Sequence, residues 1–180
     1  MGRCNAKKGY KLGLTISRGK TFKGVGGGMC QLTNVLHWLV LHSPLEICEH
    51  HHHNGMDLFP DCGREIPFGT GTSIMYNYLD YQFVNKTDNT FQIIIYTTAD
   101  FLCGELRSSN PMSDDYLIYE DDSYFFEKDE MFYRHNKVFQ KQIDKCNGII
   151  LKEMLLAENY SEVMYDKSFI DENLIKTMVL

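Results

Sequence analysis

The chain has 180 residues, 43% of them hydrophobic, enough for one domain with its own core and a small appended layer. Eighteen Lys and Arg against 24 Asp and Glu give a formal charge of −6, which argues against nucleic acid or an anionic membrane surface as a partner. No run of about eighteen apolar residues occurs, so no transmembrane segment is expected, and Met1 to Lys8 lack the apolar centre of a secretion signal.

Residues 9–23 alternate around Leu12, Leu14 and Ile16 and turn at Ser17-Arg18-Gly19, which predicts a hairpin. Gly19-Lys20-Thr21 is no phosphate-binding loop, because Gly13 stands one residue too far upstream and no helix follows. The glycine run Gly26, Gly27 and Gly28 then leads into a pattern in which Leu32, Val35, Leu36 and Leu39 recur at helical spacing, stopped by Pro44. A helix over about 29–42 follows, with Cys30 in its first turn, where free N–H groups and the helix dipole lower a thiol's pKa.

Residues 45–52 alternate as a strand, so His51 and His53 project together, and Asn54-Gly55 marks a turn. Residues 59–71 form a loop rich in Pro and Gly, the kind of segment that lines sites. From Ser73 the chain turns β-prone. Residues 74–84 and 91–96 read as an antiparallel pair around a turn at 85–89, 101–107 as another strand, and 116–126 as an aromatic one. Cys146-Asn147-Gly148 between two β-prone runs signals a further hairpin, and residues 171–180 suit a short helix or a frayed end. Asp114-Asp115 to Asp122 reads as a solvated, protective sheet edge. The expected class is α+β: one main apolar helix packed on a mostly antiparallel sheet, with a β-rich C-terminal third. Residues 1–110 would form the core domain and 111–180 an extension packed on it.

Six cysteines, at 4, 30, 48, 62, 103 and 146, stand apart with no C-x-x-C pair, which suggests free thiols in a reducing compartment and hence a cytoplasmic location.

Several blocks resemble the VanW family, named from a glycopeptide-resistance gene cluster. They run from Gly26 through Asn34, then Leu41 to Leu45, Glu49 to His53, Asp57 to Asp61, Pro67 to Gly71, Tyr76 to Asp80 and Asn85 to Thr87. Two positions depart from the family pattern: His50 stands where Arg is usual, removing a fixed cation, and Asn54 where Ser is usual. The resemblance implies a bacterial, envelope-linked protein connected with vancomycin resistance and a small-molecule or peptidoglycan-related ligand. It also implies more chain ahead of Gly2.

As chemistry, a cysteine at a helix start followed by histidines on the next element matches thiol hydrolases and transpeptidases. Cys30 would attack an acyl carbon of an amide, with His53 or His51 as its ion-pair partner. Gln31 and first-turn N–H groups would hold the oxyanion, and Asp57, Asp61 or Glu49 would orient the imidazole. Gly26, Gly27, Gly28, Asn34, Glu49, Asp61 and Arg64 complete the candidate binding set. No cofactor is required on this reading. Alternatively Cys30, His51, His53 and Asp57 offer ligands for a zinc ion, His-x-His on a strand being a sound spacing. A third reading is a non-catalytic, envelope-associated binding module, with Cys30 an apolar filler, His37 and His42 structural, and Asp57 and Asp61 turn caps.

Overall fold

A computed structural model describes residues 2–17, 20–52 and 55–177, with the backbone alone for residues 16, 17, 20 and 21. The chain divides into two compact units, Met1–His52 with Gly71–Met112, and His53–Thr70 with Ser113–Leu180.

In the first unit, a short 3-10 turn at Ala6–Lys8 is capped by the Asn5 side chain. Strands β1 (Leu12–Ser17) and β2 (Lys20–Val25) then pair antiparallel, from Leu12 opposite Val25 to Ser17 opposite Lys20. The turn expected between them at Arg18-Gly19 lies outside the described residues. The glycine run is shaped by the chain's own backbone. Gly26 and Gly28 take φ of 83° and 88°, and a Cβ on Gly27 would sit 2.1 Å from the Gly13 carbonyl oxygen.

Helix α1 (Met29–Leu41) starts where the sequence predicts, on Gly28, with no side-chain cap. Its most buried positions are Thr33, His37, Val40 and Leu41, while the stripe through Leu32, Val35, Leu36 and Leu39 is half-buried. The polar pair can lie as deep as Val40 and Leu41 because both side chains find partners, described below.

Strand β3 (Glu46–Glu49) is shorter than the predicted 45–52 and ends in a bulge between Ile47 and Glu49. Strand β4 (Met56–Asp57) belongs to the second unit. Strand β5 (Gln82–Val84) pairs with β3, which corrects the expected pairing of 74–84 with 91–96. Residues 74–81 instead close a tight turn, with Met75 bridging Leu79 and Asn77 at φ 66°, a conformation incompatible with a continuous strand. Strand β6 (Phe91–Thr97) finds its partner in β7 (Leu102–Ser108). Helix α1 packs on β7 at Gly104, where a Cβ would come within 2.6 Å of Val35 and 2.9 Å of Leu39.

The second unit is a meander of long strands, β8 (Asp114–Lys128), β9 (Met131–Asp144) and β10 (Ile150–Val163), in the order β4-β10-β9-β8. Strand β4 runs parallel to its neighbour β10. Asp129 and Glu130 join β8 to β9 with both φ positive, at 53° and 63°, as a two-residue hairpin of primed type demands. At the β9–β10 turn Asp144 Oδ1 accepts from the Cys146 and Asn147 amides and Gly148 takes φ 72°. The acidic strand β8 is an edge of this sheet. Phe125, Val163 and Ile170 form a core with Phe132 and Tyr165 against it, and Phe126 and Val138 are fully buried. Ile170 lies in a tail of two 3-10 turns, Lys167–Phe169 and Glu172–Leu174.

The described residues are thus strand-rich with one α-helix, an α+β chain. No described helix is long and apolar enough to cross a membrane.

Candidate functional site

Four separated stretches of the first unit meet in one hydrogen-bonded assembly. From α1, the Thr33 hydroxyl points at the Thr72 carbonyl (3.1 Å), and Asn34 Oδ1 accepts from the Thr72 amide (2.8 Å). The Gly71 carbonyl accepts from both His50 Nε2 and His52 Nδ1 (3.1 Å each). A carbonyl cannot donate, so each of those ring nitrogens carries a proton. The His51 carbonyl receives the Ser73 amide (2.7 Å), and His51 Nε2 donates to Glu49 Oε1 (2.9 Å). The same carboxylate accepts from the Asp80 amide (3.2 Å), tying in the turn before β5.

His37 lies at the centre. Its ring stacks on His50 with centroids 4.5 Å apart, and its Nδ1 shares a hydrogen bond with the Tyr81 hydroxyl (3.1 Å). Burial first, and then the positive charge that His50 and His52 can carry, hold its pKa down from 6.5 to about 3. His37 is therefore neutral at physiological pH. Burial pushes the Tyr81 phenol well above its usual range, so it keeps its proton. The outcome is a neutral imidazole and a phenol deep in the assembly, with exposed His50 stacked over them.

Cys30 is half-buried in the first turn of α1. Burial raises its thiol pKa, and the hydrogen bond from its own backbone amide only partly offsets this. The lowering expected from the helix start is thus outweighed by desolvation. Gln31 is exposed beside it, its amide bonded to the Gly28 carbonyl (3.0 Å). His53, the first-choice partner for Cys30, lies outside the described residues. The structure brings Glu49 to His51 and Asn34 to the Gly71-Thr72 backbone, while Gly26, Gly27 and Gly28 lie against β1 rather than against this assembly.

The remaining candidates, Asp57, Asp61 and Arg64, sit in the second unit and converge on Arg134, which the sequence reading passed over. The buried Arg134 guanidinium forks onto Asp61 (2.9 and 2.8 Å) and reaches Asp57 (3.4 Å) and Glu120 (3.7 Å). It lies between the rings of Phe68 (4.6 Å) and Phe125 (5.3 Å), and Arg64 also pairs with Asp61. Burial alone would lower the Arg134 pKa and raise that of Asp61. Their mutual attraction outweighs it, keeping Arg134 charged and Asp61 below the usual carboxylate range. Asp57 ends above that range, because burial exceeds the help from the Tyr165 hydroxyl (2.9 Å) and the more distant Arg134. Asn136 and Asn159, bonded to each other (2.8 Å), both donate to the Phe68 carbonyl (2.8 and 3.3 Å). These contacts anchor the loop 57–70 to the sheet of the second unit. The Arg134-His135-Asn136 triplet inside a β-prone run was the available signal for this network.

Among the described residues, no group of three or more His, Cys, Asp or Glu side chains is arranged to hold a metal ion.

A family model described as VanW like protein matches residues 1–107. The vancomycin B-type resistance protein VanW of Enterococcus faecalis (strain ATCC 700802 / V583) is 30% identical over 156 residues, which is 87% of this chain and 56% of that protein. The chain therefore spans little more than half the length of that curated relative. No solved structure matches the chain. The blocks that converge in the first unit fall inside the matched span, and on the model match and the relative's identity together the chain belongs to the VanW family.

Proposed function

We propose that this protein is an accessory component of glycopeptide resistance that binds a peptidoglycan-related, amide-bearing ligand at the histidine and tyrosine assembly of its first unit. The carrying observation is the convergence of residues 33–34, 49–52, 71–73 and 80–81 on one hydrogen-bonded cluster. These stretches overlap the blocks that carry the family resemblance. A neutral His37 linked to a protonated Tyr81, under the exposed ring of His50, suits recognition of an uncharged amide or hydroxyl group by hydrogen bonding. The envelope connection comes from the relative's name.

The test is co-sedimentation of the full chain with purified peptidoglycan, followed by titration with soluble disaccharide-peptide fragments. His50→Ala and Tyr81→Phe should each weaken binding about tenfold, as expected when one hydrogen-bonding partner in a ligand site is lost. Absence of wild-type binding to both sacculi and fragments would falsify the proposal.

A second reading, thiol chemistry at Cys30 on an amide of the same ligand class, draws on that cysteine's partly exposed place in the first turn of α1. It requires a covalent adduct on Cys30 after incubation with the fragments. An unmodified thiol by mass spectrometry removes it.

A further inference from the structure

The formal charge of −6 conceals an uneven distribution. Residues 1–45 carry seven Lys and Arg and no Asp or Glu, whereas residues 46–180 carry eleven and 24. Much of that basic segment folds into the Ala6–Lys8 turn and the β1–β2 hairpin.

One face of the hairpin is defined by the pairs Leu12 with Val25 and Leu14 with Lys23, since opposed residues project to the same side. The other face carries Gly13, where a Cβ would lie 2.4 Å from the Gly27 carbonyl oxygen, so the glycine run covers that face at Gly13, while Phe22 farther along it is 49% exposed. The apolar side stays open: Leu12 is 69% exposed, Leu14 47% and Val25 43%. Exposed Lys23, opposite Leu14, shares this face. Beside Val25 is a hollow of about 490 Å³ lined by Arg3, Cys4, Asn5, Ala6 and Lys7, which sets two cations next to that apolar side chain.

We propose that this hairpin is a docking surface for an anionic lipid bilayer. Leu12, Leu14 and Val25 enter the interfacial region while Lys23, Arg3 and Lys7 meet headgroup phosphates. Exposed aliphatic side chains amid cations match a lipid interface, where apolar burial and charge attraction add. A soluble polyanion would use the cations alone, and a nucleic acid would ask for stacking platforms or a groove fit. The net negative charge does not oppose docking at this range. Charges more than about 8 Å away are screened at physiological salt, so the surface reads the local charge rather than the total.

The experiment is vesicle co-sedimentation of the full chain with phosphatidylcholine alone and with about one-third phosphatidylglycerol, at about 0.1 and 0.5 M salt. The wild type should bind the anionic vesicles, and binding should fall about tenfold in high salt, in Lys7→Glu/Lys23→Glu and in Leu12→Ser/Leu14→Ser. Lys152→Glu, on β10 of the second unit, should leave binding unchanged. Circular dichroism and melting temperature establish that the variants are folded. Competing inorganic phosphate and duplex DNA identify the other sources of anionic chemistry. Equal binding to neutral vesicles, retention in both double variants, or tight DNA binding insensitive to the leucine changes would each overturn the assignment. Loss of peptidoglycan binding with vesicle binding intact would bear only on the ligand site.

Discussion

His37 and His50 stack ring on ring, their planes 7° from parallel, with the His37 pKa held down to about 3. In the unfolded chain the same imidazole protonates near its ordinary value of 6.5. Between those values the unfolded chain binds a proton that the folded chain does not, so stability is present above pH 6.5 and lost as pH falls through the window. By about pH 5 this contribution should cost on the order of 2 kcal/mol. Thermal melts should show the wild type losing stability on acidification and His37→Gln losing less. Parallel pH dependences of the two proteins would contradict a buried neutral His37.

The thiols offer a second measurement. Burial raises the Cys30 pKa, whereas Cys48, Cys62 and Cys146 are exposed. Iodoacetamide near neutral pH should therefore label those three first and Cys30 several-fold more slowly, since both thiolate fraction and access control the rate. A Cys30 that outpaces the others would restore the activated nucleophile that its position at a helix start suggests.

Local signals in the sequence were legible and long-range ones were not. The periodicity after Gly28 places α1 within a residue, and Asn147-Gly148 announces the β9–β10 hairpin. The β8–β9 hairpin turns on Asp129-Glu130, which lacks glycine and so carries no such signature. The partner of β5 is β3, an association that strand propensity cannot reveal, because pairing depends on contacts across about forty residues. Within the candidate site, His51 with Glu49 was one of several pairings that the sequence left open. His37 was not among them: a histidine on an apolar helix reads as satisfied core until Tyr81 and His50 are seen against it.

In the second unit, Asp57 and Asp61 share Arg134 unequally. Asp61 makes the forked pair and is held below its usual range, so its contribution is present above the ordinary carboxylate pKa and lost as pH falls through the lowered value. Asp57 is raised by burial, so its charged form contributes least at neutral pH. Asp61→Asn should then destabilise by about 2 kcal/mol, discounted for partial exposure, and Asp57→Asn by less. Arg134→Leu, which strands buried Asp57, should cost about 3 kcal/mol or more. Urea unfolding at neutral pH ranks the three, and an Asp57→Asn loss exceeding that of Asp61→Asn would reverse the proposed sharing.

Three glycines separate backbone strain from steric crowding. Gly69 has φ 83°, and a Cβ there would lie 2.0 Å from the Asn159 side chain, itself buried and bonded to Asn136 and the Phe68 carbonyl. Neither the backbone nor that amide can yield without breaking the loop's anchor, so Gly69→Ala should cost about 3 kcal/mol or more. Gly104 has ordinary φ, and its added methyl would press on the ends of Val35 and Leu39, which can shift, at a cost of about 1 to 3 kcal/mol. Gly148 has φ 72° in open space, leaving only the conformational term of about 1 kcal/mol. Chemical denaturation of the three alanine variants should give that order. A Gly148→Ala loss as large as that of Gly69→Ala would show that φ alone, and not the clamp on Asn159, governs the loop.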